Sequence, residues 1–149
     1  MPLVKHHRDL RVFQDGFAAA MRIFEISKRW PVEERYSLSD QIRRSSRAVC
    51  ANVTEAWRKR RYEPSFISKL SDADAEAAET QTWLDFALAC GYLHPDRHAE
   101  LYHQYDVICG GPVKMMSEPE RWCGPAALRE SPAEYTIDDT DDPKAPSDL

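Results

Sequence analysis

Glu100 and His103 stand three residues apart, half of the signature with which di-iron helical bundles hold their metals, and His94 and His98 stand four apart, one helical turn. A di-iron centre needs a second Glu-x-x-His and two further carboxylates on facing helices. The chain has no second copy. These histidines, like His6 and His7, are therefore read as solvated, and no metal or cofactor is expected. A different chemistry is carried by the stretch SLSDQIRRSSRAVCANVTEAWRKRR, residues 37–61. Arg43, Arg44 and Arg47 stand at its start and Arg58, Lys59, Arg60 and Arg61 at its end, with the polar pair Asn52 and Glu55 between them. Seven cations on one helix admit three readings: partners of the negative helix C-terminus, members of ion pairs with acidic neighbours, or a surface for phosphate oxygens.

The net charge of -5 conceals an asymmetry along the chain. Residues 1–61 hold 14 Lys and Arg against 7 Asp and Glu, or +7; residues 62–129 hold 5 against 11, and residues 130–149 hold 1 against 7, or -6 each. An acidic total is thus compatible with a basic surface. At 149 residues the chain is expected to form one domain without help from disulfides or metals. Five glycines and 42% hydrophobic residues suit helices. The four cysteines, Cys50, Cys90, Cys109 and Cys123, form no CxxC pair and are read as reduced thiols of a cytosolic protein. No apolar run is long enough to span a bilayer and the N-terminus lacks a signal-peptide core, so a soluble, cytoplasmic protein with no membrane partner is expected.

Four helices must position these groups, over about residues 9–29, 38–61, 64–90 and 96–117. Helix 1 is expected to be capped by Asp9 and ended by Pro31. It carries two apolar stripes: Leu10, Phe13, Phe17, Ala20 and Phe24 in the first, Val12, Ala19, Ile23, Ile26 and Trp30 in the second. One bundle needs only the first, so the second is read either as a wide core face or, in preference, as a surface for another subunit. Helix 2 turns Ile42, Ser45, Val49, Asn52, Val53 and Ala56 inward, and helix 3 repeats Phe66, Leu70, Ala73, Ala77, Thr80, Leu84 and Ala87 without a slip. Helix 4 carries Leu101, Tyr105, Ile108 and Met115, with a kink or break expected at Gly110-Gly111-Pro112. The bundle is expected to span residues 1–122. Residues 123–149, rich in Pro, Asp and Ser, are expected to form a disordered acidic tail that competes with anions for the basic end of helix 2.

RDLRVFQ, RWPVEERYSLSDQIRR, ANVTEAWRKR and AETQTWLDFALACGYL resemble, in order and spacing, the four-helix bundle proteins encoded in intervening sequences of 23S rRNA genes. The resemblance is strong over about residues 8–93 and weaker over helix 4. It implies an up-and-down bundle assembled as a ring-shaped homopentamer, with no enzymatic activity. Relatives include the accessory variability protein of diversity-generating retroelements, which binds nucleic acid and a partner reverse transcriptase. The chain departs from the pattern at Cys50, Ala56, Asp72, Asp74 and the Gly110 to Pro112 segment, and in its tail. Asn52, Glu55 and Glu79 match polar positions of the motif. They are read as a hydrogen-bonded network between helices 2 and 3, completed by Arg43 or Arg44, in preference to an acid–base pair, because a core of Phe, Leu and Ala offers no visible pocket.

The expectation is therefore an all-α, antiparallel up-down-up-down bundle, a homo-oligomer without chemistry of its own. Its cations would bind RNA or DNA backbone in an accessory role. The competing expectation is a protein adaptor using the second stripe of helix 1 and the exposed end of helix 4.

Overall fold

The computed structural model describes residues 3–125. Four long helices, α1 (Arg11–Ser27), α2 (Leu38–Arg58), α3 (Glu63–Ala89) and α4 (Pro95–Ser117), are followed by the short α5 (Pro119–Cys123), with no strand among the described residues. Contacts between neighbours run in opposite chain order. Arg43 bonds Ser27 while Cys50 reaches the Phe13 carbonyl, Ser45 meets Thr80 while Glu55 meets Lys69, and Asp85 meets His98 while Gln81 reaches Asp106. Closure comes from Arg22 of α1, which bonds Glu100 and Gln104 of α4. The result is an all-α antiparallel bundle.

The α3 stripe lies inward as its spacing requires: Phe66, Leu70, Ala73, Ala77, Thr80, Leu84 and Ala87 are all buried. Pro64 sits in the first turn, where its missing N–H costs nothing. Leu101, Tyr105, Ile108 and Met115 of α4 complete the facing layer. The polar contact crossing this core is the 2.8 Å bond between Ser45 Oγ and Thr80 Oγ1.

The two stripes of α1 are exchanged relative to expectation. Val12, Gly16, Ala19, Ile23 and Ser27 face the core, and Ile23 is 1% exposed. Of the first stripe, Leu10 is buried, but Phe13, Ala20 and Phe24 are only half-buried and Phe17 is 55% exposed. Small residues decide the choice. A Cβ built on Gly16 would lie 3.3 Å from Cys50 Sγ and 3.4 Å from Val49 Cγ1, so α1 can approach α2 this closely only through its Gly16 and Ala19 side. A row of phenylalanines cannot occupy that gap.

The α1 start is corrected too. Leu10 precedes the helix, and Asp9 instead accepts from the Lys5 and His6 backbone N–H groups, closing a 3-10 turn at His7–Asp9. α4 is not broken at Pro112, which is buried within it. Proline disfavours helical geometry in the preceding residue through contact with that residue's Cβ and N–H, and Gly111 has no Cβ. The same glycine lies against Val12 of α1, with a built Cβ only 2.8 Å from Val12 Cγ2. Ordered packing reaches Cys123, which joins α5 and, with Trp122, packs against the core. The remainder of the expected acidic tail, from residue 126 onward, lies outside the described residues.

Candidate nucleic-acid interface

The helix 2 cations divide among three places. Arg43 and Arg47 turn toward α1, their guanidinium carbons 5.1 Å and 5.7 Å from the centre of the Phe24 ring, and Arg43 Nε donates to Ser27 Oγ at 2.8 Å. Arg58 lies on the same side about three helical turns further on, where its charge reaches His7. Spacings of four and eleven residues keep the three on one side of α2. Arg44 instead faces α3, close enough to act on Glu76.

The four cations at the α2 end are not equivalent. Arg60 folds back over Trp57, its guanidinium 3.8 Å from the ring centre, and donates to the Trp57 carbonyl at 2.6 Å. It thus satisfies an end carbonyl of the helix. Partial desolvation and the charges of Arg61 and Arg58 lower its pKa. Lys59 closes the helix through its backbone N–H to Glu55 O, and Arg61 is exposed beyond it. Among the described residues, no ion pair takes Arg43, Arg47 or Arg58.

The expected polar network does not form, since its members have separate partners. Asn52 Nδ2 donates to the Ala48 carbonyl of its own helix at 3.0 Å, and Glu55 pairs with Lys69 at 2.8 Å. Glu79 lies beside Glu76, whose carboxyl is raised above its ordinary value by desolvation, then by the charge of Glu79 and a hydrogen bond with it. Long polar side chains on helix flanks reach local or exposed partners more readily than one another. Glu100 is taken by Arg22, His94 Nδ1 accepts from the Asp96 N–H, and His98 bonds Asp85, so the Glu-x-x-His half-signature is dispersed. Among the described residues no group of His, Cys, Asp or Glu could hold a metal ion.

The residues that sequence reasoning placed in the core, Phe13 and Phe17, instead flank the arginine row. One groove between α1 and α2 is lined by Phe13, Phe17, Ala20, Met21, Arg47, Cys50 and Ala51, and the next by His7, Arg8, Phe13, Gln14, Phe17 and Thr54. Neither is lined by a carboxylate. The rings form a ladder: Phe17 to Phe13 at 6.1 Å and 22°, Phe13 to His7 at 5.1 Å and 70°, His7 to His6 at 4.1 Å. Desolvation and the charges of His6, Arg8 and Arg58 hold His7 below the ordinary imidazole value, which favours a neutral ring.

The model of the 23S rRNA-intervening sequence proteins matches residues 8–111, from before α1 through most of α4. The chain belongs to this family. Its match runs beyond the strong part of the resemblance and includes Gly110 and Gly111 of α4. Among solved structures, the chain is similar to a protein of unknown function from the S23 ribosomal protein family of Bacteroides thetaiotaomicron VPI-5482. Identity is 26% and the TM-score 0.65, over 71% of this chain and 95% of that one. No curated protein matches. Two departures of this family member are accommodated by packing: Ala56 is wholly buried, and Cys50 sits against Gly16 with its thiol pKa pushed up to about 11 by burial. No helix among the described residues is long and apolar enough to cross a membrane.

Proposed function

We propose that this 23S rRNA-intervening sequence protein is a non-enzymatic module that binds the phosphate backbone of RNA or DNA through the α1–α2 face. The observation that carries this reading is the row of Arg43, Arg47 and Arg58 along one side of α2, none of them in an ion pair among the described residues. Cations consumed by carboxylates would have favoured a structural role. Unpaired guanidinium groups along an acid-free groove offer phosphate oxygens paired N–H donors and attract a polyanion over several ångströms. Arg8 lines the adjoining groove, which shares Phe13 and Phe17 with the one that Arg47 lines, and adds a fourth cation.

Fluorescence anisotropy with labelled RNA and DNA across a salt series tests the reading. Each neutralised phosphate releases counterions, so the slope of log affinity against log salt is about -0.7 per contact for single strands and about -0.9 for duplex. Replacing Arg43, Arg47 and Arg58 by Gln should weaken binding and flatten the single-strand slope by about 2. An unchanged slope, or no binding by the native chain at low salt, would transfer the face to a protein partner.

A further inference from the structure

The α1–α2 face is more than a positive strip, because aromatic rings, Phe17 exposed and Phe13 and His7 half-buried, run beside its cations. We propose that its ligand is single-stranded nucleic acid, with bases stacking on Phe17, Phe13 and His7 while Arg47 and Arg58 hold the phosphates. This rests on the backbone-binding reading above and narrows it to one form of ligand.

Three observations select a single strand. The Phe17 ring is 55% exposed and continues through Phe13 to His7 with centroid steps of 6.1 Å and 5.1 Å, so the ladder presents ring area along the groove. A base in a duplex has both faces covered by its neighbours, whereas an unpaired base can lay a face on an aromatic ring. The cations lie alongside the ladder, with Arg47 lining the groove that Phe17 and Phe13 share and Arg58 acting on His7 at its far end. A strand lying in the groove would therefore meet rings with its bases and guanidinium groups with its backbone. Finally, the fifteen residue steps from Arg43 to Arg58 span about 22 Å of helix, the length of roughly six stacked nucleotides.

Charge distinguishes this ligand from an apolar helix of a protein partner. An exposed apolar stripe alone would suit either, but a stripe bordered by Arg8, Arg43, Arg47 and Arg58 with no lining carboxylate calls for a polyanion with flat apolar faces. Single-stranded nucleic acid has both properties. No sequence-reading group is required, because every base offers a face to stack.

The experiment compares fluorescein-labelled ten-nucleotide single strands of RNA and DNA with duplexes of the same length, using the full chain. Wild type should bind single strands at least tenfold more tightly than duplex at equal salt. Phe17→Leu, which keeps an apolar side chain at an exposed position, should lose roughly 5- to 150-fold in single-strand affinity, the effect of removing one stacking ring. Its duplex affinity and salt slope should stay as in wild type, and Phe17→Trp should restore single-strand binding. Thermal melts and light scattering of each variant accompany the titrations. Equal affinity for both forms with a steep salt slope, or equal loss of both in Phe17→Leu, would overturn stacking and leave the backbone reading standing. Absence of salt-dependent binding to either form would overturn both. A change of oligomeric mass in Phe17→Leu with single-strand affinity per protomer unchanged would make the stripe a subunit contact and overturn the proposal.

Discussion

Helix α1 has an inner face made of Val12, Gly16, Ala19, Ile23 and Ser27 and an outer face made of Phe13, Phe17, Met21 and Phe24. The outer face is the more hydrophobic in side-chain area, yet it is the inner one that the bundle buries. Closeness outweighs bulk. Gly16 lets α1 settle against Cys50 and Val49, and dense packing along the whole helix stabilises more than four large side chains held further away would. The apolar surface left outside is then free for another role, and arginines of α2 stand beside it.

Ile23→Glu gives the largest contrast between the faces. It places an unpaired carboxylate at a site 1% exposed and should cost more than about 4 kcal/mol, seen as loss of the cooperative thermal transition. Phe17→Glu, six residues away, should change stability by no more than about 0.5 kcal/mol while abolishing nucleic-acid binding. If the two destabilise equally, the assignment of faces is wrong.

A second contrast uses the α4 neighbours of that inner face. Gly111→Ala would drive a Cβ to 2.8 Å from Val12 Cγ2 and 2.9 Å from Val12 Cβ, a β-branched side chain with little freedom to retreat. Urea denaturation should show a loss of about 1–3 kcal/mol. At Gly110, one position earlier, a Cβ meets nothing within 4 Å, so Gly110→Ala should gain roughly 0.5–1 kcal/mol from helix propensity.

The α3 register was legible because seven inward residues repeat at alternating steps of four and three, which allows one choice of face. α1 was ambiguous for a physical reason: apolar periodicity counts large side chains, while Gly16 and Ser27, which mark the true inner face, register as gaps. The continuity of α4 was hidden because an internal proline, which removes a backbone hydrogen bond and crowds the preceding turn, reads as a kink or break, whereas Pro112 is buried within an unbroken helix. The basic helix was visible, but the division of its cations depends on neighbours: Arg60 finds its own helix end and Arg44 finds α3, whereas Arg43 and Arg47 find Phe24. The proposed Asn52, Glu55 and Glu79 network failed because each group had a closer partner.

Cysteine chemistry gives a smaller effect that reports the inner contact directly. Cys50 is buried against Gly16, and burial pushes its thiol up to about 11; Cys109 is half-buried with a similar value, desolvation again first. Cys90 is exposed. Iodoacetamide at neutral pH, followed by mass spectrometry, should label Cys90 first and Cys50 last, since the thiolate is the reacting form. Early labelling at Cys50 would mean that α1 does not stay closed on α2.

The smallest effect lies across the bundle, where Glu76 and Glu79 stand close enough on α3 for one carboxyl to act on the other. The folded carboxyl of Glu76 is raised, so the folded state holds its proton to higher pH than the unfolded chain. Desolvation of its charged form, joined by repulsion from Glu79, opposes folding above that range and is relieved as pH falls through it. Glu79→Gln should lower the Glu76 midpoint in a carboxyl NMR titration, and an unmoved midpoint would separate the pair.

The division of α1 into a packing face and a ligand face is tested most directly by photocrosslinking. A 5-bromouracil-substituted single strand is irradiated with the full chain at low salt and the adducts are mapped by mass spectrometry. α3 carries a contrasting pair of rings, Trp83 and Phe86, with Asp85 between them and no arginine over either ring among the described residues. The predicted result is crosslinking in the α1 segment that contains Phe13 and Phe17, reduced when Arg43, Arg47 and Arg58 are replaced by Gln. Adducts concentrated at Trp83 and Phe86, or spread without preference over the chain, would contradict it.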